Sequence, residues 1–170
     1  MTKAKQDKAA SLRPTIRNAT AKDEQRVIAL WRACNLVTSY NDPSRDFCFA
    51  RANVGSDILV GLDEEQAIVG SVMVGHDGHR GWIYYVASDP KHRSQGIGRS
   101  MVEAAEQWLT NKGVAKVMLL VRETNTQVVD FYKHLGFEAI PRVIMQKWLE
   151  EDRNESAIAE VVRPRGKTND

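Results

Sequence analysis

The chain has 170 residues, with 24 Lys and Arg against 22 Asp and Glu and a formal net charge of +2. That length supports one domain whose core buries about two-thirds of the unfolded surface, and it argues against a second. The basic residues are scattered, no apolar run approaches the roughly 20 residues of a membrane span, and Met1-Thr2-Lys3-Ala4-Lys5 has no hydrophobic segment behind it, so the expectation is a soluble cytoplasmic protein with no nucleic-acid or membrane partner.

Residues 1–12 are lysine-rich and aperiodic, the composition of a disordered leader, and the folded domain is expected over 13–150. Residues 15–19 read as a strand. Thr20 and Asp23 then stand three apart ahead of a helix with Val27, Leu30, Trp31 and Cys34 on one face. After the turn Tyr40-Asn41-Asp42-Pro43, the pair Asp42-Pro43 starts a second helix through Phe47, Ala50 and Arg51. Trp31 and Tyr40 either pack or line a site beside these helices. Cys34 and Cys48 lack the spacing of a metal site or disulfide framework and are expected to be reduced packing residues.

Residues 57–62 and 67–74 are apolar runs of strand length around the polar turn Asp63-Glu64-Glu65-Gln66, which makes a hairpin. The turn Gly75-His76-Asp77-Gly78-His79-Arg80-Gly81 carries an Asp-Gly signal and leads into a third antiparallel strand at 82–88. His76-x-x-His79 lacks a third ligand at suitable spacing, so no metal is expected and these histidines, with Asp77, read as loop residues at a site mouth.

The strand at 82–88 runs through a basic, glycine-punctuated loop into a helix with Ile97, Met101, Ala104, Ala105, Trp108 and Leu109 on one face. The first turn of a helix has unpaired N–H groups and a positive dipole end, so it favours an anion. Gly96 and Gly98 remove Cβ atoms that would hold phosphate oxygens away, while Arg93, Ser94 and Gln95 add charge or hydrogen bonds. An ordinary strand-to-helix loop with glycines for turning fits the same letters. A nucleotide P-loop does not, since Gly98 is followed by Arg99-Ser100 rather than Lys-Ser or Lys-Thr. A dinucleotide fingerprint fails too, with Met101 where a third small residue belongs and a loop from Asp89 to Gln95 where a tight turn belongs.

Residues 115–121 read as a buried strand, and strand–helix–strand of this length implies a parallel pair with a right-handed crossover. Asn125 caps a further helix with Val128, Phe131, Tyr132 and Leu135 inward and Gly136-Phe137 as its stop. Residues 137–140 and 142–149 are expected to close the sheet as a hairpin pair around Pro141, ahead of a flexible charged tail at 151–170.

This element order, with Arg93-x-x-Gly96-x-Gly98 at the central helix and Asn125 followed by Phe131-Tyr132-x-x-Leu135-Gly136-Phe137, resembles the GNAT superfamily of acyl-CoA-dependent N-acyltransferases over about residues 13–150. Within it, Tyr40-Asn41-Asp42-Pro43 and the loop 75–81 are similar to the bacterial YpeA-like acetyltransferases. The resemblance implies an α/β (α+β) fold: a mixed, mostly antiparallel sheet, helices on both faces, and a central parallel pair, the strands ending at Ser88 and Val121, splayed around an acyl-CoA site. It implies that Arg93, Ser94, Gln95, Gly96, Ile97 and Gly98, with Arg99 in the first turn, hold the pyrophosphate of acetyl-CoA. The main chain of Val86 and Ser88 would pair with pantetheine, and Asn125 either hydrogen-bonds that arm or serves only as a cap.

The implied reaction is direct attack of an amine on the thioester, with the Val86 N–H supporting the oxyanion and Tyr132 giving its proton to the departing thiolate. Several relatives carry a glutamate where this chain has Leu120, so the base is open between Asp77, His79, Tyr84 and Glu123. Trp31, Tyr40, Asn41, Asp77, His79 and Tyr84 are the candidate acceptor-side residues. The expected function is acetyl-CoA-dependent transfer to a primary amine of a small molecule, peptide or protein, with homodimerisation open. The alternative is a non-catalytic acyl-CoA-binding or regulatory module on the same fold, which the missing glutamate favours and Tyr132 disfavours.

Overall fold

The computed structural model describes residues 12–122 and 124–149, so the expected tail, the leader up to residue 11 and the candidate base Glu123 lie outside the described residues. In chain order the elements are β1 (Thr15–Asn18), α1 (Glu24–Ala33), α2 (Pro43–Ala52), β2 (Ser56–Leu62), β3 (Ile68–His76), β4 (Gly81–Ser88), α3 (Ile97–Asn111), β5 (Val117–Met118) and α4 (Thr126–His134). The sheet runs β1-β2-β3-β4-β5, antiparallel except for the parallel pair β4–β5. Among the described residues no helix is long and apolar enough to cross a membrane.

Strand alternation divides the core into two layers. Ile58, Val60 and Ala87 face α1 and α2, packing with Val27, Trp31 and Phe47. Leu59, Val69, Val72, Val74 and Ile83 face α3, meeting Ile97, Met101, Val102, Ala105 and Leu109, with α4 adding Phe131, Tyr132 and Leu135. Each fully buried side chain of this kind contributes about 1.5–3 kcal/mol relative to exposure. The inward faces read from the helical period of α1, α3 and α4 are therefore the faces that pack.

Local chemistry fixes the helix starts. Asp23, buried ahead of α1, accepts from Thr20 N and Oγ1 at 2.8 Å each, from Arg17 at 2.7 and 3.0 Å, and from Arg26 at 2.6 Å. Hydrogen bonds from Arg17 above all hold its carboxyl well below the usual carboxylate range, against the opposing cost of burial. Asp42 caps α2 by accepting from Ser44 N at 2.9 Å and Arg45 N at 3.2 Å, with Pro43 in the first turn.

α3 lies close on the sheet because Gly61, Gly70 and Gly81 face it. A Cβ at Gly70 would stand 2.7 Å from Ile97 Cγ2 and 3.0 Å from Met101 Cγ, and one at Gly81 would stand 2.5 Å from Leu109 Cδ1. These glycines give the helix a recessed seat.

Three expectations change. The strand expected over 115–121 pairs only at Val117 and Met118, opposite Gly81 and Trp82, because the chain diverges from β4 beyond that point. Residues 137–149 carry no strand, and Val143, Ile144, Met145 and Leu149 are exposed. Pro141 has no N–H for a ladder, and a two-residue β5 offers a short template for another strand. Among the described residues β5 is the last strand on that side of the sheet. Cys48 is exposed on α2 rather than packed.

Candidate functional site

Where β5 leaves β4, a cleft of about 710 Å³ opens, walled by Ile83–Val86 of β4, residues 119–122, the α1–α2 connection and the start of α4. Its shape follows from one inserted residue. The pairs Ser71↔Ala87 and Met73↔Tyr84 leave Val72 facing both Tyr85 and Val86, a β-bulge, and Tyr85 has φ 49°. Few bulky residues adopt that left-handed backbone, so the surroundings must hold it. The Tyr85 ring stacks on Trp31 at 4.1 Å and 20°, its hydroxyl donates to Asp46 Oδ2 at 2.7 Å, and Asn41 Nδ2 donates to that hydroxyl at 3.5 Å.

The bulge changes which edge the main chain addresses. Gly81 N–H donates to Lys116 O on the β5 side at 2.8 Å, whereas Asp89 N–H donates to Val69 O on β3 at 2.8 Å. In a regular strand two residues eight apart point the same way. The extra residue inverts that alternation and turns the N–H groups of Val86 and Ser88 toward the open edge, where β5 no longer pairs. Ser88 O there accepts the Cys34 thiol at 3.3 Å. Burial pushes that thiol's pKa up, so Cys34 stays protonated at neutral pH.

Beyond β4, Asp89 Oδ1 accepts Lys91 N at 2.9 Å in a single 3₁₀ turn, Ser94 takes φ 62°, and Gly96 caps α3 at φ 86°, where a side chain would be strained. No side chain caps α3 and no acidic residue stands in its first turn. Its first intrahelical bond is Ser100 N to Gly96 O at 3.0 Å, and among the described residues the N–H groups of Gly96, Ile97, Gly98 and Arg99 have no partner. Arg93 is exposed beside this turn, and Arg99 leans on Glu103 at 3.8 Å. Gly98 also faces Phe131 of α4, which a Cβ there would meet at 3.4 Å.

On the opposite wall, Tyr132 of α4 sits edge-on between Phe131 at 5.1 Å and Phe137 at 5.4 Å. Burial pushes its pKa up to about 12, so the phenol holds its proton at neutral pH, and its hydroxyl has no hydrogen-bond partner among the described residues. Asn125 stands at the start of α4 but its side chain makes no cap bond, so its amide remains available to the cleft it lines.

Of the acceptor-side candidates, Tyr40, Asn41 and Tyr84 line the cleft, Tyr40 with an edge contact to Trp148 at 5.8 Å. Trp31 does not: it is fully buried in the core beneath Tyr85, its Nε1 donating to Ser71 Oγ at 3.0 Å. Asp77 and His79 lie on the β3–β4 turn rather than the cleft wall. Asp77 Oδ1 accepts Arg80 N at 2.7 Å and His79 N at 2.8 Å, bonds that hold its carboxyl below the usual range and tie it to the turn. Tyr84, whose pKa is raised by burial first and by Asp77 second, stays protonated at neutral pH and makes a poor base. Leu120 lines the cleft, and its apolar side chain supplies no base there. Sequence reading missed Tyr85, Asp46 and Cys34 as site residues. A tyrosine pair inside an apolar run was the visible hint of the first, and nothing in the letters joins it to Asp46.

The fold that carries this cleft is shared with known proteins. The acetyltransferase (GNAT) family profile matches residues 17–137, and the chain belongs to that family. An acetyltransferase of Pectobacterium atrosepticum is 37% identical over 131 residues, covering 77% of this chain and 92% of that protein. One from Yersinia enterocolitica is 34% identical over 138 residues, covering 81% and 97%. Among solved structures, AAC(6')-Iy in complex with the bisubstrate analogue CoA-S-monomethyl-acetylneamine superposes with a TM-score of 0.69 at 18% identity, covering 80% of this chain and 98% of that one. An acetyltransferase of Trypanosoma brucei superposes at 0.63 and 22% identity, covering 80% and 100%.

Proposed function

We propose that this protein is an acetyl-CoA-dependent N-acetyltransferase that passes the acetyl group directly to a primary amine of a small molecule, peptide or protein. The observation that carries the reading is the inversion at Tyr85, which aims the N–H of Val86 into a cleft bounded by Tyr132 and turns the N–H of Ser88 to the same open edge, with the unpaired N–H groups of residues 96–99 past the end of β4. Those groups fit acetyl-CoA by chemistry: free donors, Arg93 and Arg99 for its diphosphate, an unpaired strand edge for the amides of its pantetheine arm, and the Asn125 amide beside that arm. The fold shared with a protein solved with a CoA bisubstrate analogue supports this use of the cleft.

Bound there, acetyl-CoA supplies a thioester, an acyl group activated for attack by an amine. The chain's own contributions are electrostatic and protolytic. Val86 N–H offers a fixed donor to the acyl oxygen, and preorganised donors of this kind stabilise developing negative charge without reorganisation. Tyr132 keeps its proton at neutral pH and can hydrogen-bond to the sulfur as negative charge develops there, the proton shed by the amine making good any that it passes on. Leu120 lines the cleft where several relatives carry a glutamate, and this favours the second reading of a non-catalytic acyl-CoA-binding module. Intact Tyr132, unbonded and protonated, weighs against it.

Binding is the first test. At about 100-fold excess over Kd, acetyl-CoA stabilises the native state by about 2.7 kcal/mol, and the expected rise in Tm for a domain of this size is roughly 5–10 °C in a thermal melt. An unmoved Tm at millimolar ligand would contradict both readings.

A further inference from the structure

We infer that Tyr85, Asp46 and Asn41 form the seat for the ammonium group of a cationic acceptor, a primary alkylamine such as a lysine side chain or a diamine. The inference rests on the transferase reading above and names its acceptor class. It starts from charge: among the described residues the cleft walls hold tyrosines, amides, a protonated cysteine and Arg122, and no carboxylate. Asp46 on α2 brings a negative charge to a wall side chain, accepting the Tyr85 hydroxyl at 2.7 Å.

That bond fixes what the phenol can offer. A tyrosine hydroxyl has one proton and two acceptor lone pairs. With the proton committed to Asp46, the oxygen is left as an acceptor, and Asn41 Nδ2 engages it only at the 3.5 Å limit of a hydrogen bond. Burial first and Asp46 second keep the phenol protonated, with a pKa of about 12, so the polarity of this bond holds at neutral pH. Asp46 Oδ1 has no hydrogen-bond partner among the described residues. An N⁺–H donor completes such a set. An anionic acceptor would be repelled by the carboxylate, and an uncharged hydroxyl would forgo the charge-assisted bond.

Position agrees with chemistry. Tyr85 lines the same cleft as Val86, and an ammonium seated at the phenol oxygen gives up one proton to water before its nitrogen attacks the thioester. Its ring is clamped on the fully buried Trp31, giving the seat a fixed geometry. Tyr40 and Tyr84 add aromatic faces that attract a cation.

The experiment is steady-state transfer from acetyl-CoA to 1,6-diaminohexane and to an N-terminally blocked lysine peptide, with 1,6-hexanediol as uncharged counterpart, in wild type, Asp46→Asn and Tyr85→Phe. Expected are acetylation of at least one amine and not of the diol, and an amine KM raised about tenfold or more in both variants. The acetyl-CoA-induced rise in Tm should persist in Tyr85→Phe, whose ring keeps the stack on Trp31 that holds the bulge. Tyr85→Phe keeps the stack on Trp31 and carries the test alone if Asp46→Asn unfolds. An unchanged amine KM in the folded variants, transfer to the diol alone, or transfer to no probe while acetyl-CoA still raises the wild-type Tm would overturn the seat and leave acyl-CoA binding standing. Loss of the wild-type Tm response would remove the transferase reading and the seat together.

Discussion

Tyr132→Phe is expected to lower kcat by about 10²-fold or more while acetyl-CoA still raises Tm as it does in wild type. A positioned general acid contributes roughly 10²–10⁴-fold, and the variant removes the hydroxyl alone. The ring contacts with Phe131 and Phe137 persist, so packing should change little. The hydroxyl donates to nothing among the described residues, so no hydrogen bond within the fold is lost with it. A drop in kcat at saturating acetyl-CoA and amine, with an unaltered Tm shift, separates proton donation from binding. A kcat within about threefold of wild type would remove Tyr132 from the chemistry.

Gly70→Val is expected to destabilise the protein by about 2–3 kcal/mol, lowering Tm by roughly 5–10 °C, and to weaken acetyl-CoA binding in calorimetric titration. Two effects oppose each other. Replacing glycine reduces the freedom of the unfolded chain, which stabilises by about 0.4–1 kcal/mol. Against this, even the first carbon added would stand 2.7 Å from Ile97 Cγ2 and 3.0 Å from Met101 Cγ, both on side chains buried between α3 and the sheet with nowhere to retreat. Overpacking costs about 1–3 kcal/mol and valine adds two more methyl groups, so the loss dominates. Relief comes by lifting the first turn of α3, which carries the unpaired N–H groups, and stability and ligand affinity should fall together. A variant as stable as wild type would show that the glycine seat is not what sets the height of α3.

The same glycine shows where sequence reading stopped. Read along the strand, Gly61, Gly70 and Gly81 are breaks in apolar runs; only the opposing helix reveals them as a seat. The helices were legible because apolar spacing and the starts at Thr20–Asp23, Asp42-Pro43 and Gly96 are local signals. The loop from Arg93 to Gly98 was legible for the same reason. The cleft itself was not, since a bulge at Tyr85 has no glycine to announce it and the divergence of β5 leaves 115–121 as apolar as a paired strand would be. Asp46 and Tyr85 are 39 residues apart, and their hydrogen bond exists only once α2 has packed on the sheet. Trp31 misled in the other direction: an aromatic on the face of α1 reads equally as core or wall, and burial placed it in the core.

The most direct test of the central claim is release of the CoA thiol from acetyl-CoA by the wild-type protein with pooled primary amines and lysine-bearing peptides, with the acetylated product weighed by mass spectrometry. The account predicts amine-dependent thiol release, matched one for one by an N-acetylated member of the pool. Binding of acetyl-CoA with no amine-dependent release from any member would contradict it and leave the acyl-CoA-binding module as the function of this cleft.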